Sequence, residues 1–194
     1  MPDEVLVPGL AAAAALAALF LVVRLLRRRF PRTFAARVIY VYDGDTVCVR
    51  HWGCRRRIRL LGIDAPESEQ EFGQDSQRCL AKLVLNKRVQ VEAVGVDIYG
   101  RLLARITVGR KDPGLELLEA GLAWPYFRFF GNLQLSDRRS YRDAYQRARA
   151  GRRGLWREDK PQAPWLWRRE HRSLWERFCV WLRRLVHRLI FSNH

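Results

Sequence analysis

Two short acidic stretches of this 194-residue chain carry side chains that could hold a cation. Asp43 and Asp45 stand on either side of a glycine, and Asp64 and Glu67 stand on either side of Pro66. Carboxylates held close together repel each other unless a cation or an arginine lies beside them. An oxygen-only set without His or Cys suits Ca²⁺ or Mg²⁺. Taken singly, the Asp-Gly-Asp stretch is also typical of a tight hairpin turn.

Two arginines could bind a phosphate beside these carboxylates. Arg59 lies in the alternating apolar run "RIRLLGI", where a guanidinium needs an anion, either a carboxylate or a substrate phosphate. Arg101 follows a Tyr-Gly turn, which is also an ordinary place for an exposed arginine. Two arginines, a cation site and the spare carboxylate of Glu67 are the groups needed for attack of water on a phosphodiester. The arginines would neutralise charge growing on the phosphate, and the carboxylate would orient or deprotonate the water.

Other common active-site patterns are missing from the sequence. The four cysteines form no CxxC pair, and the four histidines have no metal-ligand spacing, so a structural zinc site is not expected. The cysteines are interpreted as reduced thiols. No Gly-x-Ser-x-Gly elbow and no GxxxxGK[ST] loop occurs, which argues against an α/β-hydrolase or a P-loop enzyme.

The elements that must position these residues are short strands and a few helices. Alternating β-branched and apolar residues predict five strands, at 34–42, 46–52, 57–63, 88–94 and 102–108. The stretch "SEQEFGQDSQRCLAKLVLN" predicts a helix capped by Ser68 with Glu71 three residues later, and two further helices follow, the last closed by Gly151. Three strands, a helix, two strands and then helices predict an α+β fold, a five-stranded OB-fold barrel with capping helices. If strands two and three pair, Asp64 lies beside Asp45.

Several phrases resemble one known family. "DGDTV", "IRLLGIDAPE" and "YGRLLA" in this order, followed by "GLELLEAGLAW" and "GRRGLW", are similar to the staphylococcal nuclease (thermonuclease-like) family over about residues 34–157. Members of that family cleave DNA and RNA with little sequence preference and leave 3′-phosphates. The resemblance therefore implies a calcium-dependent endonuclease. A non-catalytic OB module that binds nucleic acid or protein is the alternative, and a membrane-organising protein is a third.

The resemblance also implies roles for individual residues. The expected metal ligands are Asp45, Asp64 and the main-chain carbonyl of Ala65, the expected catalytic residues are Arg59, Glu67 and Arg101, and the expected substrate-binding aromatics are Tyr99 and Tyr126. In this assignment Glu67 is the general base and the two arginines stabilise the transition state. Ile98 departs from the family's best-known member, which has a phosphate-binding lysine at this position.

The composition predicts one domain with appendages. At 48% hydrophobic residues, the chain can bury one core. Residues 5–23 carry no charge, and at about 1.5 Å per residue they are just long enough to cross a hydrocarbon core of roughly 30 Å. Acidic residues precede this run and arginines follow it, as in an uncleaved anchor with the domain on the cytosol-like side. The predicted organisation is an anchor and basic flank at 1–33, an OB-fold domain at 34–160 and an amphipathic basic helix at 161–194.

The formal net charge of +16 fits two kinds of partner, nucleic acid and anionic lipid. In the C-terminal segment, apolar residues recur at helical spacing opposite an arginine-rich face. This pattern is typical of an interfacial membrane helix, and a helix packed on the core or on a partner is the alternative. A moderately hydrophobic anchor followed by arginines would suit a mitochondrial membrane or a bacterial inner membrane.

Overall fold

The structure is a computed structural model that describes residues 32–171, 178–183 and 185. The chain divides into two compact units, Met1–Arg32 and Thr33–His194, and the second contains the barrel and its helices. The predicted anchor at 5–23 lies outside the described residues. Within the described ranges, no helix has the length and apolar character needed to span a membrane.

Five strands close into a barrel in the order β1-β2-β3-β6-β5, which confirms the predicted architecture. The bounds are β1 Thr33–Val41, β2 Thr46–His51, β3 Cys54–Leu60, β5 Arg88–Val96 and β6 Leu102–Thr107. Neighbours are antiparallel except β3 and β6, which run parallel and close the barrel. A short two-stranded sheet, β4 (Ile63–Asp64) with β7 (Trp124–Pro125), lies outside the barrel.

The third predicted strand is interrupted, and the interruption matters for the site. Gly62 has φ +82, in the left-handed region that glycine adopts without strain. A Cβ there would lie 2.8 Å from side-chain atoms of Leu133 and Tyr141, so the chain turns where only glycine fits. The turn separates β3 from β4 and brings Ile63 of β4 within hydrogen-bonding distance of the Arg59 side chain of β3.

Within residues 32–171, four helices accompany the barrel strands. Their bounds are α1 Gly73–Val84, α2 Pro113–Glu119, α3 Leu135–Ala150 and α4 Pro164–His171. Helix α2 begins with Asp112 as N-cap, whose side chain accepts from the N–H groups of Gly114 and Leu115. Two 3₁₀ turns, Phe127–Asn132 and Gly154–Arg157, connect the later elements.

The prediction that α1 begins at Ser68 is wrong. Phe72 adopts φ 62, which interrupts a right-handed helix, and α1 begins only at Gly73. Before it, the Gln70 N–H donates to the Glu67 carbonyl and the Gly73 N–H donates to the Gln70 carbonyl. A Cβ at Gly73 would lie 1.8 Å from the Glu67 carbonyl oxygen. The chain therefore folds into consecutive turns directly beside Glu67.

The hydrophobic core fills the barrel interior and extends under α1, α2 and α3. Its members from the barrel include Val38, Val47, Val49, Ile58, Leu60, Val89, Val91 and Ile106. In β3 the buried Ile58 and Leu60 point inward, so Arg55, Arg57 and Arg59 lie on the outer face. This alternation decides where the arginines of β3 can act.

Candidate active site

The Asp-Gly-Asp turn presents Asp45 at the start of β2. The Asp45 N–H donates to Asp43 Oδ1 at 2.9 Å, which fixes the turn. A Cβ at Gly44 would come within 1.9 Å of Ser76 Oγ and 2.6 Å of the Ala65 Cβ. Glycine thus allows the turn to pack directly against the Asp64–Ala65 segment. The stretch therefore forms a tight turn and also brings Asp45 into contact with the segment that carries Asp64.

Asp64 reaches the same place from β4. The pairing of Asp64 with Trp124 in the β4–β7 sheet holds its backbone, and its side chain is fully buried. Thr46 of β2 is paired with Arg59 of β3, so the start of β2 lies beside the end of β3, as predicted. The Ala65 N–H donates to Asp45 Oδ2 at 2.8 Å and ties the two acidic stretches together.

Arg59 lies between the two aspartates. Its Nη1 is 2.9 Å from Asp45 Oδ2 and its Nη2 is 2.6 Å from Asp64 Oδ1. Nη1 also donates to the carbonyls of Ile63 at 2.9 Å and Leu60 at 3.2 Å. Its side chain is only 11% exposed. The predicted need of this buried guanidinium for an anion is met by two carboxylates of the site.

Burial shifts the pKa values of both aspartates. Burial raises the pKa of Asp45 to about 6, with Asp43 adding to the rise and Arg59 opposing it. Burial also raises the pKa of Asp64, again against Arg59, and the negative charge of Asp45 contributes. Two buried carboxylates thus share the single guanidinium of Arg59, and carboxylates held this close favour a further cation beside them.

Glu67 lies at the rim of the site and is engaged by a residue that the sequence reasoning did not select. Arg168 of α4 places Nη1 2.7 Å from Glu67 Oε1 and Nη2 2.7 Å from Asp64 Oδ2. Burial opposes the charge of Arg168, but its hydrogen bonds to Asp64 and Glu67 hold its pKa above the ordinary value. The sequence predicts for the C-terminal segment either an interfacial membrane helix or a helix packed on the core or on a partner, and α4 is in contact with the core through Arg168. No local signal in "WLWRREH" marks one arginine as a contact of the site.

The second predicted catalytic arginine is joined to the site through Thr46. Arg101 Nη1 donates to Thr46 Oγ1 at 3.2 Å, and the Thr46 hydroxyl donates to Asp45 Oδ1 at 3.0 Å. Asp97 orients the guanidinium through an ion pair of 2.7 Å. Thr46 was not selected from the sequence, although it directly follows Asp45.

The two predicted aromatic residues occupy different positions. Tyr99 is exposed, and the guanidinium carbon of Arg101 lies 5.3 Å from its ring centre. Tyr126 follows β7, and its N–H donates to the Gly62 carbonyl at 2.8 Å, which places it next to the turn that leads to Asp64. Tyr99 therefore borders the Arg101 side of the site and Tyr126 the β4–β7 side.

The oxygen donors at this site are of the type that a hard divalent cation prefers. Asp45 and Asp64 supply two buried carboxylates, and Ala65, whose carbonyl is the third expected ligand, directly follows Asp64 and is also buried. In the described part of the chain, no group of three or more His, Cys, Asp or Glu side chains forms a ready cage. Two carboxylates and a carbonyl with water in the remaining positions are typical of Ca²⁺ and Mg²⁺ rather than of a transition metal.

The chain is thus a five-stranded barrel with a carboxylate–arginine site where the start of β2 lies beside the end of β3. The family model described as "Staphylococcal nuclease homologue" matches residues 57–158. The chain belongs to this family, and it is a phosphodiester hydrolase of the nuclease type.

Two named relatives align with this chain over most of their own length. One is an "uncharacterized endonuclease" of Haemophilus influenzae, 36% identical over 137 residues, which cover 70% of this chain and 74% of that protein. The other is a "micrococcal nuclease" of Shigella flexneri, 36% identical over 149 residues, which cover 72% of this chain and 83% of that protein.

Proposed function

We propose that the protein is a calcium-dependent endonuclease that hydrolyses DNA and RNA with little sequence preference. The observation that carries the proposal is the convergence of Asp45, Asp64, Arg59 and Glu67 at one end of the barrel. A tight, buried set of this kind has no role in simple binding of a nucleic-acid backbone, for which exposed arginines suffice.

In this proposal Asp45, Asp64 and the Ala65 carbonyl hold Ca²⁺, which when bound supplies positive charge to a phosphate oxygen. Arg59 and Arg101 donate to the other phosphate oxygens, where negative charge grows as water adds to phosphorus. Thr46 links Arg101 to Asp45, so the two arginines keep a fixed spacing.

Glu67 is the group that accepts the proton of the attacking water. Its side chain is 33% exposed, so water reaches it while Asp64 beside it stays buried. The oxygen of water bonds to phosphorus, the bond to the 5′ oxygen breaks, and that oxygen takes a proton from solvent. The expected products carry 3′-phosphates. Tyr99 and Tyr126 are proposed to contact the nucleotides on either side.

The test uses the full chain with a supercoiled plasmid and a long RNA. We expect cleavage of both in calcium and none in chelator. Glu67→Gln should lose most of the activity, because the amide cannot accept the proton, whereas Glu69→Gln, an exposed neighbour, should keep it. Binding of nucleic acid without cleavage in calcium would instead support the alternative of a non-catalytic OB module.

We further propose that residues 5–23 anchor the protein as a single span with the domain on the cytosol-like side, in a membrane such as that of a mitochondrion. The charge-free run and the arginines after it support this proposal. A membrane contact of the C-terminal segment belongs to the same proposal, since Trp181 and Leu182 are exposed. Alkaline extraction of membranes is the measurement, and release of the protein with the peripheral fraction would contradict the anchor.

A further inference from the structure

Four arginines stand directly opposite one another across four neighbouring strands. Arg37 of β1 is paired with Arg88 of β5 and with Arg50 of β2, and Arg50 is paired with Arg55 of β3. All four residues are exposed. We call these four residues the arginine row.

The arginine row is unfavourable for folding by itself. Like charges directly opposite each other in a sheet destabilise it. No ion pair found among residues 32–171, 178–183 and 185 involves a member of the row. A polyanion laid across the strands would relieve this repulsion.

Aromatic side chains flank the row. Trp52, at the tip of the β2–β3 hairpin, is 93% exposed, has φ 45 and stacks on His51 with 5.1 Å between the ring centres. Tyr40 is 55% exposed and packs edge-on against Tyr42. Arg50 lines two adjoining grooves of about 590 and 400 Å³, one beside Tyr40 and the other beside Trp52. Exposed rings next to arginines are the features that bind unpaired bases and their phosphates.

The row is connected to the active site along β3. Arg55, Arg57 and Arg59 share the outer face of this strand. A strand rises about 3.3 Å per residue, so these guanidinium groups start from positions about 6.6 Å apart. Arg57 lies over the Tyr42 ring at 4.6 Å, and its Nε donates to the Tyr42 hydroxyl at 3.1 Å. A single strand of nucleic acid bound at the arginine row can thus continue over Arg57 to Arg59.

We propose that the arginine row, with Trp52 and Tyr40, binds a single-stranded stretch of the substrate outside the active site and directs it along β3 to Arg59. The proposal takes its ligand class, nucleic acid, from the proposed function. It adds a second binding region that only long substrates reach.

The experiment compares Arg37→Gln/Arg55→Gln with a control that removes two exposed arginines of α3, Arg139→Gln/Arg142→Gln. Binding of a long single-stranded oligonucleotide is measured in chelator, without turnover, as a function of salt. Cleavage of that oligonucleotide and of a dinucleotide is measured in calcium. Because binding is measured without turnover, it still tests the arginine row even if the protein does not cleave nucleic acid in calcium.

We expect the row variant to lower the salt slope of log Kd by about 1.4, since each single-strand phosphate contact contributes roughly 0.7. Affinity for the long strand should fall tenfold or more and dinucleotide cleavage should not change. Trp52→Ala should weaken long-strand binding about fivefold through lost stacking. Binding to vesicles that contain anionic lipid is measured in parallel for both variants. The proposal is overturned if the row variant binds the oligonucleotide as the α3 control does, or if the row variant loses binding to the vesicles alone.

A separate observation concerns Arg168, which lies outside the family match. It bridges Asp64 and Glu67, the proposed metal ligand and the proposed base. The segment just before α4 is held by Gln70, whose Nε2 donates to the Gln162 carbonyl at 2.5 Å. The helix itself packs through Trp165, whose ring centre lies 5.4 Å from that of Trp124. Arg183 adds a contact near the site, with its guanidinium carbon 5.5 Å from the Tyr99 ring centre.

The geometry points to an autoinhibitory contact: the Arg168 guanidinium occupies the carboxylates that a divalent cation needs, and the two compete. This second proposal rests on the calcium dependence proposed above. If the two compete, Arg168 must move away from Asp64 and Glu67 before Ca²⁺ can bind. The apparent dissociation constant for Ca²⁺ is then the intrinsic constant divided by the fraction of molecules in which Arg168 has moved away.

Calorimetric titration of Ca²⁺ into the full chain, without nucleic acid, tests the contact. Arg168→Ala should bind Ca²⁺ about tenfold more tightly, and Ca²⁺ should raise its melting temperature more than that of the wild type. Arg169→Ala, an exposed neighbour on the same helix, should match the wild type.

Unchanged or weaker Ca²⁺ binding in Arg168→Ala overturns the competition, and lower activity at saturating Ca²⁺ would instead make Arg168 a positive participant in catalysis. The proposed function is judged by cleavage and this contact by Ca²⁺ binding, so each can fail without the other.

Discussion

Replacing Arg59 by alanine should destabilise the protein strongly and do so in a pH-dependent way. The substitution removes the ion pairs of Arg59 with Asp45 and with Asp64. Asp64 then keeps only its ion pair with Arg168, and the buried Asp45 has no ion pair left among the described residues. The substitution also leaves the Ile63 carbonyl without its 2.9 Å hydrogen bond.

The expected loss at neutral pH is about 3–5 kcal/mol, the usual range when one partner of a buried ion pair is removed. The exposed pair of Arg78 and Asp75 supplies a matched control. Its nitrogen–oxygen distance of 2.7 Å lies between the 2.9 and 2.6 Å of the Arg59 pairs, but the side chains of Arg78 and Asp75 are 64% and 53% exposed. Arg78→Ala should therefore cost less than about 1 kcal/mol.

The sign of the pH dependence follows from the two aspartates. Burial already raises the pKa of Asp45 to about 6 and raises that of Asp64, both against the effect of Arg59. Without Arg59, both pKa values rise further above their unfolded values. Protonation then favours the folded variant at low pH, and this contribution is lost as the pH rises through the raised pKa values. The deficit relative to the wild type should be smaller at pH 5 than at pH 8.

Urea unfolding at pH 5 and pH 8 in chelator measures both effects, and plasmid cleavage in calcium measures activity. Arg59→Lys should recover part of the stability but little of the activity, because an ammonium cannot form the same paired contacts. A loss below about 1 kcal/mol at both pH values, or a loss that does not change with pH, would refute the reasoning.

Three further predictions concern the surroundings of the site. Tyr141→Phe should cost about 1–3 kcal/mol in thermal unfolding, because the buried hydroxyl donates to Asp112 at 3.0 Å; no change in stability would contradict this. Gly44→Ala should lower both activity and stability, because its Cβ overlaps Ser76 and Ala65; an active, stable variant would mean that the turn can move. If Asp45 is a Ca²⁺ ligand as proposed, wild-type affinity for Ca²⁺ should fall as the pH drops below about 6, because a protonated carboxyl binds the cation poorly. Equal affinity in calorimetry at pH 5 and pH 7 would contradict this.

Strand pairing was the part of the fold that could be predicted well. The alternating pattern of β3 predicts that the Arg59 side chain lies among apolar residues. The pairing of β2 with β3 brings Asp45 close to Asp64. The start of α1 was mispredicted because Ser68 and Glu71 form a good local capping pattern. Tertiary contacts at Gly73 and the left-handed Phe72 outweighed that local preference.

The family match and the residue types of the site follow from the sequence, because the chemistry of a carboxylate or a guanidinium is local to its side chain. The sequence does not determine where the chain beyond residue 158 packs. Arg168 is one arginine among many in a basic segment, and only the packing of α4 on Gln70 and Trp124 selects it for Asp64 and Glu67.

The same distinction applies to the outer face of the barrel. The sequence contains Arg37, Arg50, Arg55 and Arg88 as separate basic residues in different strands. Their pairing across four strands is set by the register of the closed barrel, since strand order and register decide which residues of distant segments meet. The sequence thus determined which chemical groups the protein has, and the tertiary structure decided which of them act together.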